Sequence, residues 1–163
     1  MKVKDIALCW DFILAIVLSG IIYAILPCNV KLVAAKDIYY IAITVLSIIF
    51  SLYFAALAII ISSSNDDFIL FLEVDKIYTE VIETFKYTLI VLFFSLIVSI
   101  ILFCIASIGI NENYDIQSKI IMSIFNFFFS YSLFTVFNAC LDSITYAKKR
   151  VDFIKIKGKY KNQ

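Results

Sequence analysis

YTLIVLFFSLIVSIILFCIASIGI, residues Tyr87–Ile110, is a run of 24 residues without one charged side chain. Crossing the roughly 30 Å of hydrocarbon in a bilayer takes about 20 mostly apolar residues in a helix. In that medium the helix satisfies every backbone N–H and C=O within the segment itself. A barrel strand would be about half as long and would alternate polar with apolar residues. This stretch does not alternate, so it predicts a membrane-spanning helix. Working outward, runs of similar length occupy about 6–26, 38–61 and 120–146. Each of these carries a complication: Asp11 in the first, serines from Ser62 at the end of the second, and Asn126, Asn138 and Asp142 in the last. The expected fold class is all-α, an integral membrane four-helix bundle in a single transmembrane domain covering 1–163.

Composition supports this independently. The chain is 63% hydrophobic and 17% charged over 163 residues, with a mean hydropathy of +1.00, whereas soluble domains are about 45–50% apolar and about 25% charged. A small domain buries only about two-thirds of its unfolded surface, so a water-soluble monomer is excluded. Three glycines, one proline and no histidine leave no glycine-rich phosphate loop, no imidazole base and no histidine metal site. The reading is non-enzymatic, with no cofactor and no metal.

Orientation follows from Lys and Arg. With both termini on one side, that side holds 11 of the 14 basic residues, leaving Lys31, Lys36 and Lys119 opposite. The positive-inside rule then places both termini and the 63–86 connection in the cytoplasm. The N-terminal run is expected to stay as a first helix: it contains Asp11, and Pro27 precedes Cys28 where lipoprotein processing needs a small residue. Trp10 suits an interfacial anchor. The four cysteines suggest buried thiols and no disulfide framework.

Small residues spaced three and four apart let helices approach closely in lipid. Ser47, Ser51, Ala55, Ala58 and Ser62 form such a row on the second helix, with shorter rows at Ser95, Ser99 and Ala106 and at Ala15, Ser19, Gly20 and Ala24. The rows either cement the monomer or form a seam between copies in a homo-oligomer.

On the last helix Tyr131, Thr135, Asn138, Asp142, Thr145 and Lys149 advance by alternating fours and threes, a polar stripe down one side. A weaker track runs through Ser123, Asn126 and Ser130. Amide and ionisable groups at membrane depth face a bundle interior, a partner or water. The stripe is therefore a pore lining in an oligomer, a network fixing helix register, or a transporter site. Asp11 lies at a similar depth to Asp142; the two could share a proton or cation, or each could pair with Lys4, Lys148 or Arg150.

The 63–86 connection opens with Ser64 and Asp67, an acidic version of a capping box. It predicts a helix from Phe68 running without a breaker into the third span. That amphipathic extension (67–86) would place Glu73, Lys76, Glu80 and Glu83 on one face and Leu70, Val74, Ile77, Val81 and Phe85 on the other. The connection carries a net charge of −4, and residues 148–161 of the basic tail (147–163) carry +6. Lys148, Lys149, Arg150, Lys155 and Lys157 suit anionic lipid, at about 1 kcal/mol per basic residue near the surface. They could instead dock on the acidic extension or add a strand to another protein. Nucleic acid would meet the same charge, but no aromatic platform accompanies it.

The run Ser47–Ser62, followed by Asn65–Leu72 and an amphipathic segment to Phe85, resembles small four-span bacterial membrane proteins of phage-defence loci, such as the membrane subunit of Kiwa-type systems. The resemblance implies a membrane-embedded oligomer of the inner membrane that works with a soluble cytoplasmic partner to sense or perturb the bilayer. It transfers no site residues. Two other functions stay open: a small ion or solute channel or transporter subunit using Asp11, Asn138 and Asp142, and an immunity or assembly factor for another membrane protein.

Overall fold

The computed structural model describes residues 10–27, 29–63, 66–74 and 76–161. In chain order the elements are α1 (Trp10–Ile25), β1 (Asn29–Lys31), α2 (Leu32–Ser63), α3 (Asp66–Glu73), α4 (Ile77–Asn111), β2 (Ile116–Ser118) and α5 (Lys119–Lys161). The chain is all-α apart from one short ribbon. Helices α2, α4 and α5 contain 32, 35 and 43 residues, about 48, 52 and 64 Å at 1.5 Å per residue. All three are long and apolar enough to cross a membrane. Helix α1 is equally apolar but spans 16 residues; the first residues of the run expected at 6–26 lie outside the described residues.

Side-chain pairs fix the topology. α1 runs antiparallel to α5, with Phe12 edge-on to Phe127 and Tyr131 and Lys119 over the Tyr23 ring. α2 runs antiparallel to α4, with Tyr40 near Phe103, Phe50 near Phe93 and Tyr53 stacked on Phe85 at 4.6 Å. α2 and α5 run parallel, joined by Tyr39 against Phe125 at 4.6 Å. The two short connections therefore meet at one end. There β1 and β2 pair antiparallel, Val30 opposite Gln117, and satisfy backbone groups that would otherwise be open.

The core is divided between the two ends. Near the ribbon, Leu32, Ala35, Tyr39 and Ala42 of α2 pack with Ala106, Met122 and Phe125. Toward the other end, Leu46 and Tyr53 pack with Phe68, Leu72, Val81, Phe85, Leu92, Ala139 and Tyr146. The outward faces are largely Ile, Leu, Val and Phe, such as Ile48, Leu52, Ile101, Ile105 and Ile124. In water such a surface would drive association; with three helices of spanning length it suggests membrane insertion.

The small-residue row of α2 is not its packing face within the chain. Ser47 is half-buried, and Ser51, Ala55, Ala58 and Ser62 are exposed. The buried face is Ala35, Tyr39, Ala42, Leu46 and Tyr53, where two aromatic rings reach into the facing helices. The serine hydroxyls on the row donate back to their own helix, Ser47 to the Ile43 carbonyl at 2.7 Å and Ser51 to Ser47 at 2.9 Å. They have no need of a neighbouring helix. The other rows do pack: Ser95, Ser99 and Ala106 are buried, as are Ala15 and Ser19, while Gly20 and Ala24 face outward.

Two further expectations are corrected. The helix expected to run unbroken from Phe68 into the third span is interrupted after Glu73: Lys76 adopts a left-handed conformation (φ 58°, ψ 15°) and α4 starts at Ile77. The change of direction rotates α3 relative to α4, so Val81 and Phe85 are buried as their phase requires, but Leu70 and Val74 are exposed and Phe68 and Leu72 take the core positions. Ser64, Asn65 and Asp75 lie outside the described residues. The basic tail, in turn, is no separate segment, because α5 continues through it to Lys161. Its alternation of Ile and Lys is overridden by a helix already nucleated, which gains one hydrogen bond per added residue.

Candidate functional site

The stripe of α5 faces both α1 and α4. Tyr131 and Thr135 are buried, Asn138 and Asp142 half-buried, and Thr145 exposed. The Tyr131 ring lies against Phe12 of α1, and its hydroxyl meets that of Tyr87 on α4 at 2.5 Å. Thr135 donates to the Ser132 carbonyl at 2.9 Å, and Thr145 to Leu141 at 3.2 Å. One turn below Thr135, the Asn138 amide donates to the Asp11 carboxylate of α1. The first turn of α1 is thus tied to the middle of α5 by an amide–carboxylate bond in which each polar group satisfies the other.

Asp142 turns away from that pair. With Thr145 it lines a groove against Ile77, Glu80, Val81 and Thr84 of α4. Asp11 and Asp142 therefore serve different helices, and the sharing of a proton or cation between them has no geometric support. Asp11 is held by Asn138; Lys148 and Arg150, considered as its partners from sequence, are exposed, and Lys4 lies outside the described residues. Within one chain Tyr131, Asn138 and Asp142 of the stripe meet neighbouring helices, whereas the Thr135 and Thr145 hydroxyls bond back to α5 itself.

The docking candidates divide in the same way. Glu73 accepts a hydrogen bond from Thr79 at 2.8 Å across the break between α3 and α4, so it holds that turn. Glu80 and Glu83 are exposed on α4, and Lys148, Arg150 and Lys155 are exposed and Lys149 half-buried on α5. Nothing is described for the Lys157 side chain. All of them lie at the end opposite the ribbon.

Ser19 of the α1 small-residue row and Ser123 of the weaker α5 track meet, Ser19 donating to the Ser123 carbonyl at 2.8 Å and supporting the α1–α5 seam. Other contacts lie outside the residues singled out from sequence. Phe68 of α3 meets Tyr146 at 5.5 Å and Phe153 at 5.4 Å, and Phe71 meets Phe153 at 5.3 Å, clasping α3 to α5. The i, i+7 spacing of Tyr146 and Phe153 was the available signal, but the charges around them masked it. Cys104 and Cys140 are free and face outward rather than into the core; Cys9 and Cys28 lie outside the described residues. Among the described residues, no three His, Cys, Asp or Glu side chains come together as a metal site would need.

No family model matches the chain, and neither curated proteins nor solved structures show a significant similarity to it.

Proposed function

We propose that this chain is a four-span protein of a bacterial inner membrane, with both termini in the cytoplasm, acting without catalysis as the membrane component of a defence or stress-response system. It works as a homo-oligomer with a soluble cytoplasmic partner. The observation that carries the reading is the contrast between the two ends of the molecule. At one end the connections are short and closed by the β1–β2 ribbon. At the other, α3 is clasped onto α5, and the exposed Glu80, Glu83, Lys148, Arg150 and Lys155 form a platform with both signs of charge. The excess of Lys and Arg at that end supports a cytoplasmic placement.

The resemblance of residues 47–86 to membrane subunits of phage-defence loci supplies the defence context. The exposed small-residue row of α2 supports oligomerisation, because its close-approach surface is unused within the chain. A channel or transporter subunit is the second reading, favoured by the groove where Glu80 and Asp142 approach each other.

Labelling single cysteines placed at Asn113 and Lys155 in a chain otherwise free of cysteine tests the topology. A membrane-impermeant thiol reagent applied to intact cells should modify position 113 and spare 155; the reverse pattern overturns it. Liposomes containing the chain alone separate the two readings. A partner-dependent component leaves an ion gradient intact, whereas steady flux from the chain by itself favours the channel.

A further inference from the structure

Among the described residues, three grooves on the surface of the bundle differ in chemistry. One lies between α1 and α5 over Ser19, Gly20, Ser123 and Phe127 and has no charged residue. The second is the acidic groove of Glu80 and Asp142. The third lies between α2 and α5 and combines an apolar floor with a cation: Ala56, Ile59 and Ile60 on one side, Ser143, Tyr146 and Ala147 on the other, and Arg150 at its edge.

Its origin is local. Ala56, Ser143 and Ala147 are too short to fill the space between the two helices, while Tyr53 and Tyr146 are buried in the adjoining core. The Ser143 hydroxyl is already committed to the Ala139 carbonyl at 2.8 Å, so the floor presents hydrocarbon. The volume, about 310 Å³, is at the low end of ligand pockets, which run from about 300 to 1,000 Å³; it suits one alkyl chain better than a bulky solute.

Its depth is equally specific. The apolar run of α2 gives way to serine at Ser62, and that of α5 gives way to Lys148, Lys149 and Arg150. The two helices are parallel, so both leave hydrocarbon at the level of this groove. The apolar floor therefore lies on the membrane side and the guanidinium on the headgroup side. Arg150 is exposed at the edge of the groove. Guanidinium matches phosphate in a bidentate geometry that a lysine ammonium cannot reproduce, and basic pockets between spanning helices bind lipid headgroups.

We propose that this groove is a binding site for one anionic phospholipid of the cytoplasmic leaflet, with an acyl chain along Ala56, Ile59, Ile60 and Ala147 and the phosphate on Arg150. The proposal rests on the reading of α2 and α5 as membrane spans. It assigns to Arg150 a role distinct from the diffuse attraction of the other basic residues on α5.

The test is native mass spectrometry of the full chain in mild detergent, titrated with phosphatidylglycerol or with phosphatidylcholine. One phosphatidylglycerol per chain should be retained about tenfold more tightly than phosphatidylcholine, the size expected of a charge-assisted hydrogen bond. Arg150→Gln should lose most of that preference. Ala147→Phe fills the groove without changing any charge and should weaken phosphatidylglycerol equally, with Ala147→Leu as a milder second variant should the larger ring disturb folding. Lys155→Gln, which removes an exposed charge outside the groove, should change retention by less than about twofold. The proposal is overturned when Lys155→Gln costs as much as Arg150→Gln, or when both Ala147 variants bind as the parent does. Extraction of membranes with alkaline carbonate distinguishes the deeper failure. A chain released by carbonate is not membrane-spanning, whereas a chain that stays while the variants bind normally loses only the groove.

Discussion

The Asn138 amide donates a hydrogen bond to the Asp11 carboxylate, joining α1 to α5 across 127 residues of sequence. Asp11 is buried and Asn138 half-buried, so neither group is fully open to a replacement partner. Removing the amide alone, in Asn138→Leu, leaves a buried carboxylate unsatisfied and should cost about 1–3 kcal/mol. Removing both in Asp11→Leu with Asn138→Leu should recover most of that loss, since paired apolar replacement is close to neutral. Thermal unfolding of the four proteins in one detergent measures the cycle. A loss in the double variant equal to the sum of the two single losses would show that the bond does not couple the helices.

The exposed row on α2 separates assembly from folding. Ser51→Leu with Ala55→Leu adds bulk at two exposed positions. Monomer stability should change by no more than about 0.5 kcal/mol, as for other exposed sites. Cross-linking in native membranes should show the proposed oligomer lost. An oligomer that persists with both leucines places the seam elsewhere.

Lys76 holds the turn between α3 and α4 in a left-handed conformation at φ 58°. For a residue with a Cβ this costs about 1–2 kcal/mol, and glycine avoids most of the cost. Lys76→Gly should raise the melting temperature, whereas Lys76→Val should lower it because a β-branched side chain tolerates positive φ worst. Identical melting of the two variants would argue that the turn is not held in this conformation.

Glycines 20 and 109 should respond oppositely to alanine. A Cβ at Gly20 meets nothing within 4 Å, whereas one at Gly109 comes 2.8 Å from Leu32 Cδ2. Gly20→Ala should stabilise α1 by up to about 1 kcal/mol, the difference in helix propensity. At Gly109 that gain is offset by displacing Leu32, which is buried under the ribbon. The comparison is made by unfolding both variants side by side; a larger gain at Gly109 would contradict the packing.

Hydropathy alone determined the helices. Runs of apolar residues long enough to cross hydrocarbon have one backbone solution, and α2, α4 and α5 follow it, each extending past the expected span where polar turns continue the same helix. The sorting of acidic and basic residues was legible in the same way, because charge is counted along the chain without reference to packing. The stripe on α5 was visible as a spacing, but its partners were not. Periodicity says that Tyr131, Asn138 and Asp142 share a face, while the distribution of that face among α1 and α4 depends on how three helices are set around α5.

Only the tertiary structure decided that the small-residue row of α2 points outward. Aromatic residues at Tyr39 and Tyr53 bury more surface against Phe125 and Phe85 than a row of serine and alanine can, and the row's hydroxyls are satisfied on their own helix. It also decided that the chain turns at Lys76, where a single backbone conformation re-aims α3 and brings Phe68 onto Tyr146. Sequence specifies which segments are helical because that choice is local to the segment and its solvent. Which face each helix buries is a competition among all of them at once, settled by the side chains that interlock best.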